Sequence, residues 1–424
     1  MDKLVIRGGK PLQGSVCADG SKNGALPILF ATIMAEEPVT LRNVPRLVDI
    51  RTAVRILGQL EVDVVENGTE LTFNAPEAGS STAPYELVRR MRASICSLGP
   101  LLARRGRARV SRPGGCAIGD RPIDLHLKGL AALGAEIRTR QGYVEATAKK
   151  LRGATIFLSG PFGSSVLGTA NVMMAACRAE GRTTIEGAAC EPEIVGLADF
   201  LRVLGVPVEG AGTPTIRIEG VDRLGGGAYT IPPDRIEAGT YVLAGAIAGG
   251  EVLVENCCPG HLRSLIDILQ RMGVRLEVGE NSIRVWGTSR VQPIDVATLP
   301  YPGFPTDLQA QLMTLLCRAN GIGLITEKIY PDRFMHIAEL NRLGARIRKE
   351  GPTAIINGGQ PLTGADVMAS DLRASASLVL AGLIADGITE VHRVYHLDRG
   401  YVDMERKLRS LGADIRREYD ETGV

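Results

Sequence analysis

Aromatic side chains are scarce in this chain, at 4% of 424 residues with a single Trp. That is too few for an ordinary β-sandwich, whereas 51 glycines suit close-packed helices and sheets joined by tight turns. An excess of either charge is missing as well. Lys plus Arg number 49 against 47 Asp plus Glu, so nothing draws the chain as a whole to nucleic acid or a membrane surface, and any anion site must be local. No apolar run reaches the roughly 18 residues of a membrane span, and Met1-Asp2-Lys3-Leu4 lacks the regions of a signal peptide; the expectation is a cytoplasmic protein. The eight cysteines form no CxxC pair and only His261 lies near any of them, which argues against a disulfide framework and a zinc site; no metal or cofactor is expected. There is no GxxxxGK[ST] phosphate loop, and Leu224-Gly225-Gly226-Gly227-Ala228 lacks the GxGxxG spacing of a dinucleotide site. ATP-driven phosphoryl transfer and hydride chemistry are therefore unsupported.

What is present is a repeat. Leu133-Gly134-Ala135, Leu204-Gly205-Val206, Met272-Gly273-Val274, Leu343-Gly344-Ala345 and Leu411-Gly412-Ala413 recur at spacings of 71, 68, 71 and 68 residues, with a degenerate copy at Leu60-Glu61-Val62. Each follows an amphipathic segment such as 193–204 or 262–272, so the glycine reads as a helix C-cap. A second helix precedes each unit and is apolar nearly all round, at 25–35, 94–103, 166–179, 238–248, 308–319 and 374–385. Such helices belong inside. The pattern is strand, inner helix, strand, outer helix, strand, six times over, which gives an α/β fold of six βαβαβ-type units, three per domain. Ile231-Pro232-Pro233-Asp234 makes a hinge. The expected domains are 22–233, and 1–21 plus 234–424, the N-terminal strand completing the second.

Chemistry collects where the inner helices begin. Lys22, Arg92, Arg235 and Arg373 stand at four of the six starts, where free N–H groups and the helix dipole already favour anions. Asp234, Thr306 and Asp371 read equally well as simple N-caps. Loops before the outer helices add Arg121, Arg333 and Arg399. Two domains pointing such ends into a shared cleft would bind phosphate and carboxylate groups through planar guanidiniums, with Asp307 among them as a proton acceptor. One of these loops, Ser111-Arg112-Pro113-Gly114-Gly115-Cys116-Ala117-Ile118-Gly119-Asp120-Arg121-Pro122, carries a thiol between arginines, a setting that tunes a cysteine for acid or nucleophilic work; the alternative is an inert buried thiol.

Several motifs together resemble the enolpyruvyl transferase family, in particular the members acting on UDP-N-acetylglucosamine. They are Gly20-Ser21-Lys22-Asn23, Met91-Arg92-Ala93-Ser94, Pro113-Gly114-Gly115-Cys116 through Leu125-His126, Glu191-Pro192-Glu193, Pro233-Asp234-Arg235-Ile236-Glu237, Phe304-Pro305-Thr306-Asp307, Arg333-Phe334-Met335-His336, Asp371-Leu372-Arg373 and Asp398-Arg399-Gly400-Tyr401. The resemblance spans nearly the whole chain and implies a two-domain inside-out α/β barrel. It implies that the 3-hydroxyl of UDP-N-acetylglucosamine adds to phosphoenolpyruvate and that phosphate leaves. By resemblance, Lys22, Arg121 and Arg399 hold the phosphate of phosphoenolpyruvate, while Arg92, Arg333 and Arg373 line the anionic substrates together with Arg235. Asp307 is the base at the 3-hydroxyl. Asn23, Pro122, Asp124 and Leu125 meet the acceptor, and Ser165 and Val166 lie toward the uridine diphosphate. Cys116 matches a loop thiol that donates a proton, forms an adduct or clears product, and that fosfomycin alkylates. Two other readings compete: a paralogue with another nucleotide or phosphorylated acceptor, and a catalytically silent binding homologue.

Overall fold

In the computed structural model, residues 2–112, 118 and 122–419 are described. Cys116 and Arg121 lie outside the described residues. Six helices are buried on almost every side, as their sequences require: Lys22–Ala31, Leu98–Arg105, Val166–Ala176, Arg235–Ala248, Gln309–Leu316 and Leu372–Gly382. The chain divides into two compact units, between Asp19 and Gly20 and again between Pro232 and Pro233. Three inner helices pack together in each unit. Each unit also carries three four-stranded sheets, so that helices occupy the centre and strands the outside. No described helix is long and apolar enough to cross a membrane.

The six sheets share one order. In one of them Thr82–Ala83 runs parallel to Arg107–Ser111, which pairs antiparallel with Tyr143–Thr147, which in turn pairs antiparallel with Glu136–Arg140. Each sheet thus has four strands where the sequence pattern shows three, because a hairpin follows the outer helix in the first five copies. Its first strand is largely exposed, as in Asp63–Asn67 and Glu136–Arg140. Polar side chains there hide the two-residue period, and they suit an edge strand whose free backbone groups must not pair with another chain.

Three strands join sheets far from their sequence neighbours. Leu12–Cys17 runs parallel to Gly250–Glu255, and Gly227–Thr230 runs parallel to Val39–Arg42. Lys3–Arg7 lies between Ile388–His392 and Asp414–Glu418, antiparallel to both. The beginning of the chain therefore supplies the fourth strand of the last repeat.

All six outer helices end in the same closure. At the first, the Val62 N–H donates to the Leu57 carbonyl and the Glu61 N–H to that of Gly58, and the same pair of bonds recurs around Gly134, Gly205, Gly273, Gly344 and Gly412. The closing residue needs a left-handed backbone. Five copies supply glycine at φ between 82° and 96°, while the degenerate copy places Glu61 there at φ 63°. A side chain in that region costs roughly 1–2 kcal/mol. Glu61→Gly is therefore expected to stabilise the protein by about 1 kcal/mol and to raise the calorimetric midpoint by about 2 °C. A lower midpoint would mean that the 3.2 Å bond from the Ser80 N–H to Glu61 Oε1 outweighs the backbone strain.

Candidate active site

The first inner helix starts at Lys22, earlier than its apolar run, because Ser21 Oγ accepts the Gly24 N–H at 3.1 Å and caps it. Lys22 and Asn23 thus form its first turn. The second begins as a 3-10 turn over Arg92–Ser97 that puts Arg92 at its head, and the third is capped by Ser165, whose Oγ accepts the Gly168 N–H ahead of Val166. In the other unit Asp234 and Asp371 cap the helices opened by Arg235 and Leu372-Arg373. Thr306 does not cap. It sits in a 3-10 turn over Thr306–Leu308 together with Asp307, and its hydroxyl bonds to Glu327 instead.

Between Gly20 and Pro232, Lys22 is buried with its Nζ 2.9 Å from the buried carboxylate of Asp49. Arg92 donates to the Pro122 carbonyl at 3.4 Å. Asp124 opens the outer helix Asp124–Ala132 and is exposed; Leu125 is half-buried, and His126 is buried. Asn171 fixes that ring: its Oδ1 accepts the Gly99 N–H at 2.8 Å, and its Nδ2 donates to the Ile95 carbonyl at 2.8 Å and to His126 Nδ1 at 2.9 Å. His126 Nδ1 is then an acceptor and the ring's hydrogen lies on Nε2. Burial, and Arg92 beside it, push its pKa down to about 3.

The other unit gathers Asp307, Arg333 and Arg373. Arg333 Nη1 donates to Asp307 Oδ1 at 2.8 Å and to Thr306 Oγ1 at 3.1 Å, and Arg373 Nε lies 3.4 Å from Asp307 Oδ2. Burial works against the charge of Arg333, but Asp307 and Asp371 outweigh it and hold its pKa above the ordinary value. Arg373 is 1% exposed, 5.2 Å from the centre of the Tyr401 ring, and none of its guanidinium nitrogens is aligned for a hydrogen bond among the described residues. A buried guanidinium with unfilled donors is built to meet an anion. Arg235 is buried 5.8 Å from the Tyr301 ring centre, and Arg399, half-buried, ends a 3-10 turn over Val394–Arg399. His336 is buried with burial foremost in pushing its pKa down to about 4.

Sequence reasoning missed Asp49 and Glu327, and each left a trace. Asp49, Ala53 and Ile56 share one buried face of the outer helix Val48–Gln59, so a carboxylate occupies a core position. Glu327 continues the inward alternation of Gly323 and Ile325.

A family model described as EPSP synthase (3-phosphoshikimate 1-carboxyvinyltransferase) matches residues 6–408. The chain belongs to the enolpyruvyl transferase family. This enolpyruvyl transferase is 54% identical over 417 residues to a UDP-N-acetylglucosamine 1-carboxyvinyltransferase of Geobacter metallireducens, covering 98% of this chain and 99% of the relative. It is 52% identical over 422 residues to UDP-N-acetylglucosamine 1-carboxyvinyltransferase 2 of Carboxydothermus hydrogenoformans, covering 99% and 100%. Among solved structures, the enolpyruvyl transferase NikO from Streptomyces tendae superposes with a TM-score of 0.89 at 28% identity over 98% of both chains. EPSP synthase of Acinetobacter baumannii shares the fold, with a TM-score of 0.76 at 20% identity over 99% and 100% of the two chains.

The two buried rings of this enolpyruvyl transferase set a pH dependence. Unfolded, both titrate near pH 6.5; folded, His336 titrates at about 4 and His126 at about 3. Between those values the unfolded chain binds more protons. Stability is therefore full above about pH 6.5 and falls on acidification toward 4 and then 3, by at most about 1.4 kcal/mol per pH unit for each ring. Denaturant titrations across that window should show the loss, and His126→Gln should flatten part of the slope. An unchanged slope in that variant would remove His126 as its source.

Proposed function

We propose that this protein transfers the enolpyruvyl group of phosphoenolpyruvate to the 3-hydroxyl of UDP-N-acetylglucosamine, releasing phosphate, the step that opens peptidoglycan synthesis. One observation carries the proposal: full-length relatives at 52–54% identity bear the name of that activity, whereas the NikO and EPSP synthase structures stand at 28% and 20%. The same reading makes the partners two small anionic substrates, neither nucleic acid nor membrane, and the setting the cytoplasm.

In this reading Asp307 takes the proton of the 3-hydroxyl while that oxygen bonds to the central carbon of phosphoenolpyruvate. Cys116 gives a proton to the methylene carbon. The tetrahedral species then loses phosphate with the electrons of its C–O bond, and a proton leaves the new methyl group to restore the double bond. Lys22, Arg121 and Arg399 hold the phosphate; Arg92, Arg235, Arg333 and Arg373 meet the remaining anionic oxygens. Asn23, Pro122, Asp124 and Leu125 hold the sugar, with Ser165 and Val166 toward the diphosphate. Support comes from the geometry around Asp307, held by Arg333 at 2.8 Å and faced by Arg373 Nε at 3.4 Å, and from the Arg373 Nη1 and Nη2 groups, which are not aligned for a hydrogen bond among the described residues. Cations that bind the ground-state charge raise the rate only if they bind the tetrahedral species more strongly, so their rigidity matters more than their number.

Phosphate release from phosphoenolpyruvate should require UDP-N-acetylglucosamine, and Asp307→Asn should lower kcat by about 100-fold or more. Cys116→Asp should stay active and resist fosfomycin, because a carboxylic acid donates a proton but is not readily alkylated. No release by the wild type with that sugar nucleotide overturns the proposal.

A further inference from the structure

Glu327 is fully buried at the end of the strand Ile322–Thr326. Its Oε1 accepts from Thr298 Oγ1 at 2.5 Å and from the Ile329 and Tyr330 N–H groups at 2.9 and 3.0 Å, and its Oε2 accepts from Thr306 Oγ1 at 2.9 Å. These four hydrogen bonds offset the cost of burying the carboxylate, and its charge is among those that keep Arg333 protonated. In the 2.9 Å bond the Thr306 hydroxyl is the donor, so its hydrogen points at Glu327. The lone pairs of Thr306 Oγ1 then face Arg333, whose Nη1 donates to it at 3.1 Å and to Asp307 Oδ1 at 2.8 Å.

We infer that Glu327 is a positioning residue for Asp307, acting through the Thr306 hydroxyl and the Arg333 guanidinium. Reversing the hydroxyl would turn a hydrogen toward Arg333 and push the guanidinium off its place. The carboxylate that Arg333 holds would move with it. Glu327 touches no reacting atom in this arrangement; it fixes where the proton acceptor sits. The kinetic consequence rests on the reaction proposed above.

Thr306→Val removes the hydroxyl without changing charge, and Thr306→Ser restores it. Thr306→Val should lower kcat by about 10- to 100-fold, the order of cost that misplacing a reacting group by an ångström can carry, and raise KM for the substrate whose anionic oxygens the displaced Arg333 meets. Thr306→Ser should recover most of the rate. Glu327→Gln should lose as much as Thr306→Val, and the double variant no more than either, since both break one chain. Crystal structures of the unliganded variants should show the 2.8 Å contact between Arg333 and Asp307 lost with Val and kept with Ser. The inference is overturned if Thr306→Val keeps both the rate and the contact, if Ser fails to rescue, or if the losses multiply in the double variant. Should Glu327→Gln fail to fold, the two Thr306 variants still decide. Should the wild type release no phosphate, the reaction proposal falls, and the crystal structures judge the positioning chain by themselves.

Discussion

A helix that is apolar on every side exists only when it is surrounded, and both units are built to satisfy that demand. Three such helices shield one another, and sheets close over what remains. The approach is close enough to dictate residue size: a Cβ on Gly99 would lie 2.3 Å from the Asn171 carbonyl oxygen. Polar groups inside need partners: Asn171, within an inner helix, makes three hydrogen bonds, while a helix start offers N–H groups that have no partner of their own. Lys22, Arg92, Arg235 and Arg373 stand at or beside such starts.

The two units answer the cost of buried charge in different ways. Lys22 meets Asp49 in near-complete burial. In the other unit one carboxylate, Asp307, faces two guanidiniums, and Arg333 is shared further with Asp371 at 3.9 Å. Pairs of this kind contribute little net stability, since desolvation cancels much of the attraction. Their value lies in holding side chains that do not need to reorganise when a charged ligand arrives.

The inner helices and the five closing glycines were legible because each rests on a local rule, an unbroken apolar run or a backbone angle that favours glycine. Helix starts were less so. Residues 25–35 carry the apolar signal of the first inner helix, yet Ser21 extends it back to Lys22 through a side-chain bond. Only one of the two hairpin strands after an outer helix was legible, because exposed edge strands such as Glu136–Arg140 carry no alternation. Within the site, the cations and Asp307 could be read from charge set before apolar runs. Their partners could not: Asp49 lies 27 positions from Lys22, and Glu327 reaches Arg333 only through a hydroxyl. Which buried carboxylate meets which cation is settled by how the elements pack.

The placement of Lys3–Arg7 beside Asp414–Glu418 governs how this protein is made as well as how it stands. On a ribosome the unit from Gly20 to Pro232 emerges whole and folds while synthesis continues. Lys3–Arg7 emerges first but waits for Ile388–His392 and Asp414–Glu418, which are translated last, whereas Leu12–Cys17 waits only for Gly250–Glu255. At about 5–20 residues per second, the stretch from Pro233 to Glu418 takes on the order of ten to forty seconds, during which the apolar strand Lys3–Arg7 has no complete sheet to join. Lys3–Arg7 is thus a strand made at the start of synthesis and placed in its sheet at the end.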